Sequence, residues 1–228
     1  RTKSNNIRYL TFHDSEFFVG TDFGLIRYNP QTHENIRYLN RPGDPQSLSH
    51  NQVNVILPET DSTLWVGTEQ GLNLLNLNTG LFLRYLHQPK VQGSISHNAV
   101  KSIFTDENGQ VWIGTDGGGI NLFDRQTGSF NQIRNQPGNP NSLNNNRVYS
   151  IFRDKYENMW FGTFKGLHRI DRYERNFLLY THNPSDPNTV ASNLIWSFCE
   201  VKPGFFWIGS DEGISIFNQA ANRFSHIP

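Results

Sequence analysis

Short runs rich in β-branched and aromatic residues recur along the chain, separated by turn-forming Gly, Asn, Asp and Pro. One set of four is clear at 100–104, 111–115, 120–123 and 130–133. The turn Asp106-Glu107-Asn108-Gly109 joins the first pair, and its Asn-Gly suits a tight hairpin. Gly117-Gly118-Gly119 breaks the chain after the second run, and Arg125-Gln126-Thr127-Gly128 turns it again before the fourth. The pattern predicts four antiparallel strands. No helical period of 3.6 persists over ten or more residues, which excludes helical repeat arrays.

This set is one of five. Phe18-Val19-Gly20-Thr21, Trp65-Val66-Gly67-Thr68, Trp112-Ile113-Gly114-Thr115, Trp160-Phe161-Gly162-Thr163 and Trp207-Ile208-Gly209-Ser210 step by 47, 47, 48 and 47 residues. In phase with them run Asn5, Asn51, Asn98, Asn146 and Asn193, each followed two positions on by Ile or Val. A unit of about 45 residues with four strands is the signature of a propeller blade. The expected fold is therefore all-β, a β-propeller of four-stranded antiparallel blades. Five blades are visible, at about 5–40, 51–88, 98–135, 146–183 and 193–228, within a single propeller region, 1–228.

The shared residues have structural work to do. A Trp in a strand between β-branched neighbours can cover one sheet against the next, and the following Gly leaves room at a crowded position. Thr keeps β propensity before the turn. Between units run similar loops, such as Pro42 to Asn51, in which Leu48, Ile95, Leu143 and Val190 are expected to anchor the crossing. The closing Asn is expected to bond nearby backbone.

The stretch from Ser94 to Asp124 reads Ser-Ile-Ser-His-Asn-Ala-Val, then a hairpin ending in Asn-Gly, then Val-Trp-Ile-Gly-Thr-Asp-Gly-Gly-Gly-Ile-Asn-Leu-Phe-Asp. It resembles the two-component regulator propeller repeat of the extracytoplasmic sensor regions of hybrid two-component histidine kinases, many of them from Bacteroidetes. The resemblance spans all five units. It implies a periplasmic propeller, part of an inner-membrane receptor, that binds a ligand, often glycan-derived, and passes a signal to a downstream kinase. In that family seven-bladed propellers are common, so five units are expected to be an excerpt of a larger propeller. The chain opens on Ser4-Asn5, inside a connecting loop, with neither an initiator Met nor a signal-peptide core, and ends soon after a last strand.

Charge adds little, because 20 Lys and Arg balance 20 Asp and Glu. That balance gives no warrant for nucleic acid, and no apolar stretch is long enough to cross a membrane as a helix. The one cysteine, Cys199, excludes an internal disulfide and is expected to be a small core residue. No cofactor or metal is expected, since His50 and His97 are copies of one loop position and Asp106 to Gly109 lacks a calcium loop's remaining ligands. No nucleophile elbow or phosphate loop is present.

In a four-stranded antiparallel blade the loop entering the first strand and the loop between the second and third strands share one face. Departures among the copies on that face mark a candidate ligand site: Phe23, Phe164 and Lys165 in the second loop, and Arg147, Tyr149 and Trp196 near the first strand. Aromatic faces and planar donors suit an oligosaccharide or another small polar ligand. The alternatives are a protein-interaction scaffold that dimerises or docks, and a propeller lyase or hydrolase. Homodimerisation through the intact receptor is expected from the resemblance.

Overall fold

The computed structural model describes residues 6–170 and 176–227. Asn5 lies outside the described residues, as does Pro228. Twenty strands form five four-stranded sheets, each with its strands side by side in chain order. The first holds β1 (Ile7–His13), β2 (Glu16–Thr21), β3 (Gly24–Tyr28) and β4 (Asn35–Tyr38). The second holds β5 (Val53–Thr60), β6 (Thr63–Thr68), β7 (Gly71–Asn76) and β8 (Phe82–Tyr85). β9 (Val100–Thr105), β10 (Val111–Thr115), β11 (Gly119–Asp124) and β12 (Ser129–Ile133) make the third. The fourth is β13 (Val148–Arg153), β14 (Met159–Thr163), β15 (Gly166–Ile170) and β16 (Phe177–Tyr180). The fifth is β17 (Ile195–Lys202), β18 (Phe205–Ser210), β19 (Gly213–Asn218) and β20 (Arg223–Ile227).

Two compact units divide the chain, Arg1–Ile103 with Phe123–Asn131 and Phe104–Leu122 with Gln132–Pro228. In the first, Phe18 and Leu25 of one sheet meet Leu64, Val66 and Leu75 of the next, with the loop residue Leu48 between them. In the second, Trp160 and Leu167 meet Phe206, Ile208 and Phe217, with Val190 as the loop anchor. Leu143 plays the same part beside Phe161 and Val148. The four expected loop anchors Leu48, Ile95, Leu143 and Val190 are all fully buried. Each closing Asn accepts a backbone N–H through Oδ1: Asn40 to Asn51 and His87 to Asn98 at 2.7 Å, Asn135 to Asn146 at 2.7 Å, and His182 to Asn193 at 2.8 Å.

The repeated Thr does more than favour a strand. Its hydroxyl donates across the loop to a glycine carbonyl, Thr21 to Gly24 at 2.9 Å, Thr68 to Gly71 at 2.9 Å and Thr163 to Gly166 at 2.8 Å. Ser210 donates to Gly213 at 3.0 Å, so a hydroxyl, and not a β-branch, is what the position requires.

The tryptophans divide. Trp65 and Trp160 are 1% and 2% exposed, with ring centroids 5.1 Å from Phe123 and 5.2 Å from Phe206, each in the sheet that follows. Their indoles donate to a carboxylate six residues earlier, Glu59 at 2.7 Å and Asp154 at 2.9 Å, and Trp112 donates to Asp106 at 2.9 Å. Asp106 also accepts from the N–H groups of Asn108 and Gln110, so its oxygens serve the hairpin and the indole. Trp207 has Val201 at the corresponding place and is 42% exposed. Its expected role in covering a neighbouring sheet is thus not met among the described residues.

Cys199 is exposed, contrary to the core position expected for it. It pairs with Trp207, and strand alternation puts both on the face opposite Phe206 and Ile208, which fill the core.

Gly162 shows why the motif needs glycine. A Cβ there would lie 2.7 Å from Ile195 Cγ2 and 2.9 Å from Ile195 O, and would also run into Ser150. Gly162→Ala is expected to destabilise the chain by about 1–3 kcal/mol, read as a lower urea midpoint. Gly109→Ala serves as the contrasting control, because nothing lies within 4 Å of that Cβ and only the positive φ of 76° opposes it.

Candidate functional site

Two positions of the repeat define the candidate surface within each unit. One is the second residue of each first strand, Arg8, Asn54 and Lys101 in the first unit and Tyr149 and Trp196 in the second, and the other follows each Gly-Thr or Gly-Ser, Asp22 and Glu69 in the first unit and Asp116, Phe164 and Asp211 in the second. Backbone bonds tie the loops together, from Gly71 N–H to Asn98 O at 2.7 Å in the first unit and from Gly166 N–H to Asn193 O at 2.6 Å in the second.

In the first unit these positions hold satisfied ion pairs. Arg8 contacts Asp22, which also accepts from Asn6 Nδ2 at 2.8 Å. The hydrogen bond from Arg8, then that from Asn6, hold the Asp22 carboxyl below the usual range. Glu69 accepts from Lys101 Nζ at 2.7 Å and from Asn54 Nδ2 at 3.1 Å. Burial pushes its carboxyl up, but the bonds from Lys101 and Asn54 outweigh burial and leave it below its ordinary value.

In the second unit aromatic residues take over. Arg147 Nε stands 3.4 Å from Asp116 Oδ1, and the Tyr149 hydroxyl donates to the same oxygen at 3.5 Å. The Arg147 guanidinium lies over the Phe164 ring, 5.1 Å from its centroid. The Tyr149 and Trp196 rings are 4.9 Å apart and inclined by 35°. Burial, reinforced by the Asp116 charge, raises the Tyr149 phenol above its ordinary value and keeps it a hydrogen-bond donor at neutral pH. Trp196 and Phe164 remain 49% and 41% exposed. Exposed ring faces beside a guanidinium, a carboxylate and a phenol can stack on a flat ligand and hydrogen-bond its polar rim.

Four of the six candidate residues, Arg147, Tyr149, Phe164 and Trp196, are thus linked by direct contacts. Lys165 is exposed beside Phe164, and its carbonyl accepts from Asn144 Nδ2. Phe23 lies in the first unit, exposed, with its N–H donated to Thr21 Oγ1 at 3.0 Å, whereas the other five belong to the second unit. Asp116 is not among the six candidates, although the sequence held a signal for it: the residue after Gly-Thr or Gly-Ser is an acid in the first three copies and the fifth, against Phe164 in the fourth.

A cleft of about 720 Å³ opens beside Phe164, lined also by His182, Asn193, Asp211, Glu212 and His226. Among the described residues no group of three or more His, Cys, Asp or Glu is placed to hold a metal ion.

Sheets of four strands in chain order, joined by crossing loops and packed face to face within each unit, define the propeller class. The profile of the family described as two component regulator propeller matches residues 94–117 and 142–165, so these two segments carry the repeat of that family. The extracellular domain of BT3049 from B. thetaiotaomicron, named as a hybrid two component system, matches with TM-score 0.82 at 20% identity, over 98% of this chain and 30% of that one. The extracellular domain of BT4673 from the same organism matches with TM-score 0.58 at 23% identity, over 98% of this chain and 35% of that one. PorZ, a surface component of the type-IX secretion system of Porphyromonas gingivalis, matches with TM-score 0.51 at 18% identity, over 93% and 38%. These likenesses show the fold. The present chain spans 30–38% of the length of the three proteins. No curated protein matches it.

Proposed function

We propose that this chain is part of an extracytoplasmic, ligand-sensing propeller of a two-component signalling receptor, and that it binds a carbohydrate-type ligand on the face formed by Arg147, Tyr149, Phe164 and Trp196. The repeats and the extracellular two-component proteins that share the fold support the signalling context. One observation carries the site: where Glu69 pairs with Lys101 in the first unit, the corresponding positions of the fourth and fifth repeats hold exposed Phe164 and Trp196. A closed ion pair has given way to open apolar rings, of which Phe164 lines a cleft.

The test is a thermal-shift screen against neutral and acidic oligosaccharides. A ligand at a hundredfold its dissociation constant adds about 2.7 kcal/mol of stability. For a chain of this size that corresponds to a melting temperature higher by roughly 5–10 °C. Phe164→Ala and Trp196→Ala are each expected to abolish the shift, while Phe23→Ala leaves it unchanged. A hit that survives both of the first two substitutions would place binding elsewhere.

The exposed Trp207 and Val201 support a second reading, a docking scaffold. Sedimentation distinguishes the two readings, since Trp207→Ser is expected to reduce self-association without affecting the ligand shift.

A further inference from the structure

His168 stands in β15 where the second and third repeats carry Asn73 and Asn121, and where the fifth carries Ser215. In the second repeat Asn73 Oδ1 accepts from Ser49 N–H at 2.9 Å, and its Nδ2 donates to Ser49 Oγ at 2.9 Å and to Val66 O at 3.0 Å. Both members of that pair differ in the fourth repeat, where Asn144 replaces the serine and His168 the asparagine.

His168 Nε2 lies 2.7 Å from Asn144 Oδ1, and Asn144 Nδ2 donates to the carbonyl of Lys165. The second bond orients the amide so that its oxygen faces the imidazole. The contact of 2.7 Å with that oxygen makes Nε2–H the donor, at the expense of the longer approach of the Asn144 N–H to the same nitrogen at 3.3 Å. Nδ1 is then a bare lone pair, buried and without a hydrogen-bond partner among the described residues. The ring sits edge-on to Phe177 at 5.7 Å. Lys165 directly follows Phe164, whose N–H donates to Arg147 O at 3.1 Å, and Arg147 N–H donates to Asn145 Oδ1 at 2.8 Å. A chain of bonds thus runs from a buried ring to the residues that form the candidate face.

We propose that the Asn144–His168 pair is a positioning element of that face, fixing the loop that carries Phe164 against the crossing loop that carries Arg147. The proposal rests on the ligand-face reading for its functional meaning. Its structural content is independent of any ligand. Where the serine–asparagine pair closes on its own strands, the longer asparagine–histidine pair reaches a carbonyl of the loop itself.

The pair also makes the loop sensitive to acid. A proton on Nδ1 would bury a charge and a donor with no acceptor. Among the described residues, the charged and titratable groups on the segments around the ring are Arg169 on β15, Lys165 in the loop before it, Arg134 and Arg147 in the crossing loop and Tyr180 on β16. None offers an anion to compensate that charge near neutral pH. Burial alone lowers the imidazole pKa.

Amide hydrogen exchange on the whole chain tests the proposal, with protection of residues 163–167 compared with that of 68–72, the corresponding loop of the second repeat. Asn144→Ala is expected to reduce protection of 163–167 about tenfold and to leave 68–72 unchanged, the loss of roughly one hydrogen bond. The double variant Asn144→Ser with His168→Asn rebuilds the pair of the second repeat and guards against a single variant that does not fold. In it, protection of 163–167 is expected to be the same at pH 7 and pH 4.5, whereas the natural chain loses protection at the lower pH. Unchanged protection in a folded Asn144→Ala variant, or a pH response that persists in the double variant, would overturn the proposal. Either result leaves the ligand screen unaffected, and a screen without hits leaves these measurements unaffected.

Discussion

Trp160→Ala is expected to lower the stability of the folded chain by about 3–5 kcal/mol, the range for deleting a buried aromatic side chain. The indole is 2% exposed, and its ring centroid lies 5.9 Å from Tyr180, 5.2 Å from Phe206 and 5.7 Å from Phe217. Its removal opens a cavity between two sheets. It also deprives the buried carboxylate of Asp154 of one donor, although Tyr156 N–H, Asn158 N–H and Asn158 Nδ2 remain at 2.8–2.9 Å. Trp207→Ala, the same substitution one repeat later, is expected to cost about 1 kcal/mol or less, because that ring is 42% exposed and its position has no carboxylate six residues before it. Urea unfolding of both variants settles the comparison. Equal losses would mean that Trp207 is covered in solution by another surface, and sedimentation would then show whether that surface is a second copy.

Acid is expected to weaken the fold through His168. Burial holds its imidazole pKa down to about 4, against an ordinary value of 6.5. Above pH 6.5 the ring is neutral in both the folded and unfolded chain and contributes no pH dependence. Between pH 6.5 and 4 the unfolded chain takes up a proton that the folded chain refuses, so stability falls as pH falls. Below about pH 4 both states are protonated and the loss is complete. At 1.36 kcal/mol per pH unit the total is about 3 kcal/mol. Carboxylates held below their ordinary values, such as Asp22 and Glu69, add their own losses in more acidic solution. Subtracting the profile of His168→Asn from that of the natural chain isolates the imidazole. Asparagine fits the corresponding positions, since Asn73 and Asn121 are fully buried there. A difference profile that is flat from pH 7 to 4 would mean that His168 is hydrated or finds an acceptor for its second proton.

Much of this was legible in the chain as written. The recurrence of a Trp-x-Gly-Thr motif every 47 or 48 residues, with an Asn in phase, determined the number of sheets, their four strands and the crossing loops, because copies of one unit must solve one packing problem in one way. The candidate face was legible for the same reason. Residues that depart from a repeat are those the common packing does not explain, and Arg147, Tyr149, Phe164 and Trp196 prove to be neighbours. The carboxylate six residues before three of the tryptophans was visible too, but its meaning was not, because a hairpin turn accounts for an acid without reference to an indole.

Tertiary structure decided the rest, wherever a residue's role depends on what lies across from it. Cys199 and Trp207 look like core residues by type and position, yet strand alternation sets them on the face opposite the packed one. Phe23 looks like Phe164, yet only Phe164 lies under a guanidinium. His168 gave no signal along the chain, because an isolated histidine in a strand has no partner in its own sequence neighbourhood. Its partner, Asn144, is 24 residues away, and only the pairing of β15 with its sheet and the return of the crossing loop bring the two within 2.7 Å. The sequence alone determined the repeated architecture, whose packing periodicity is local. Contacts between distant segments decided which of the variable positions meet.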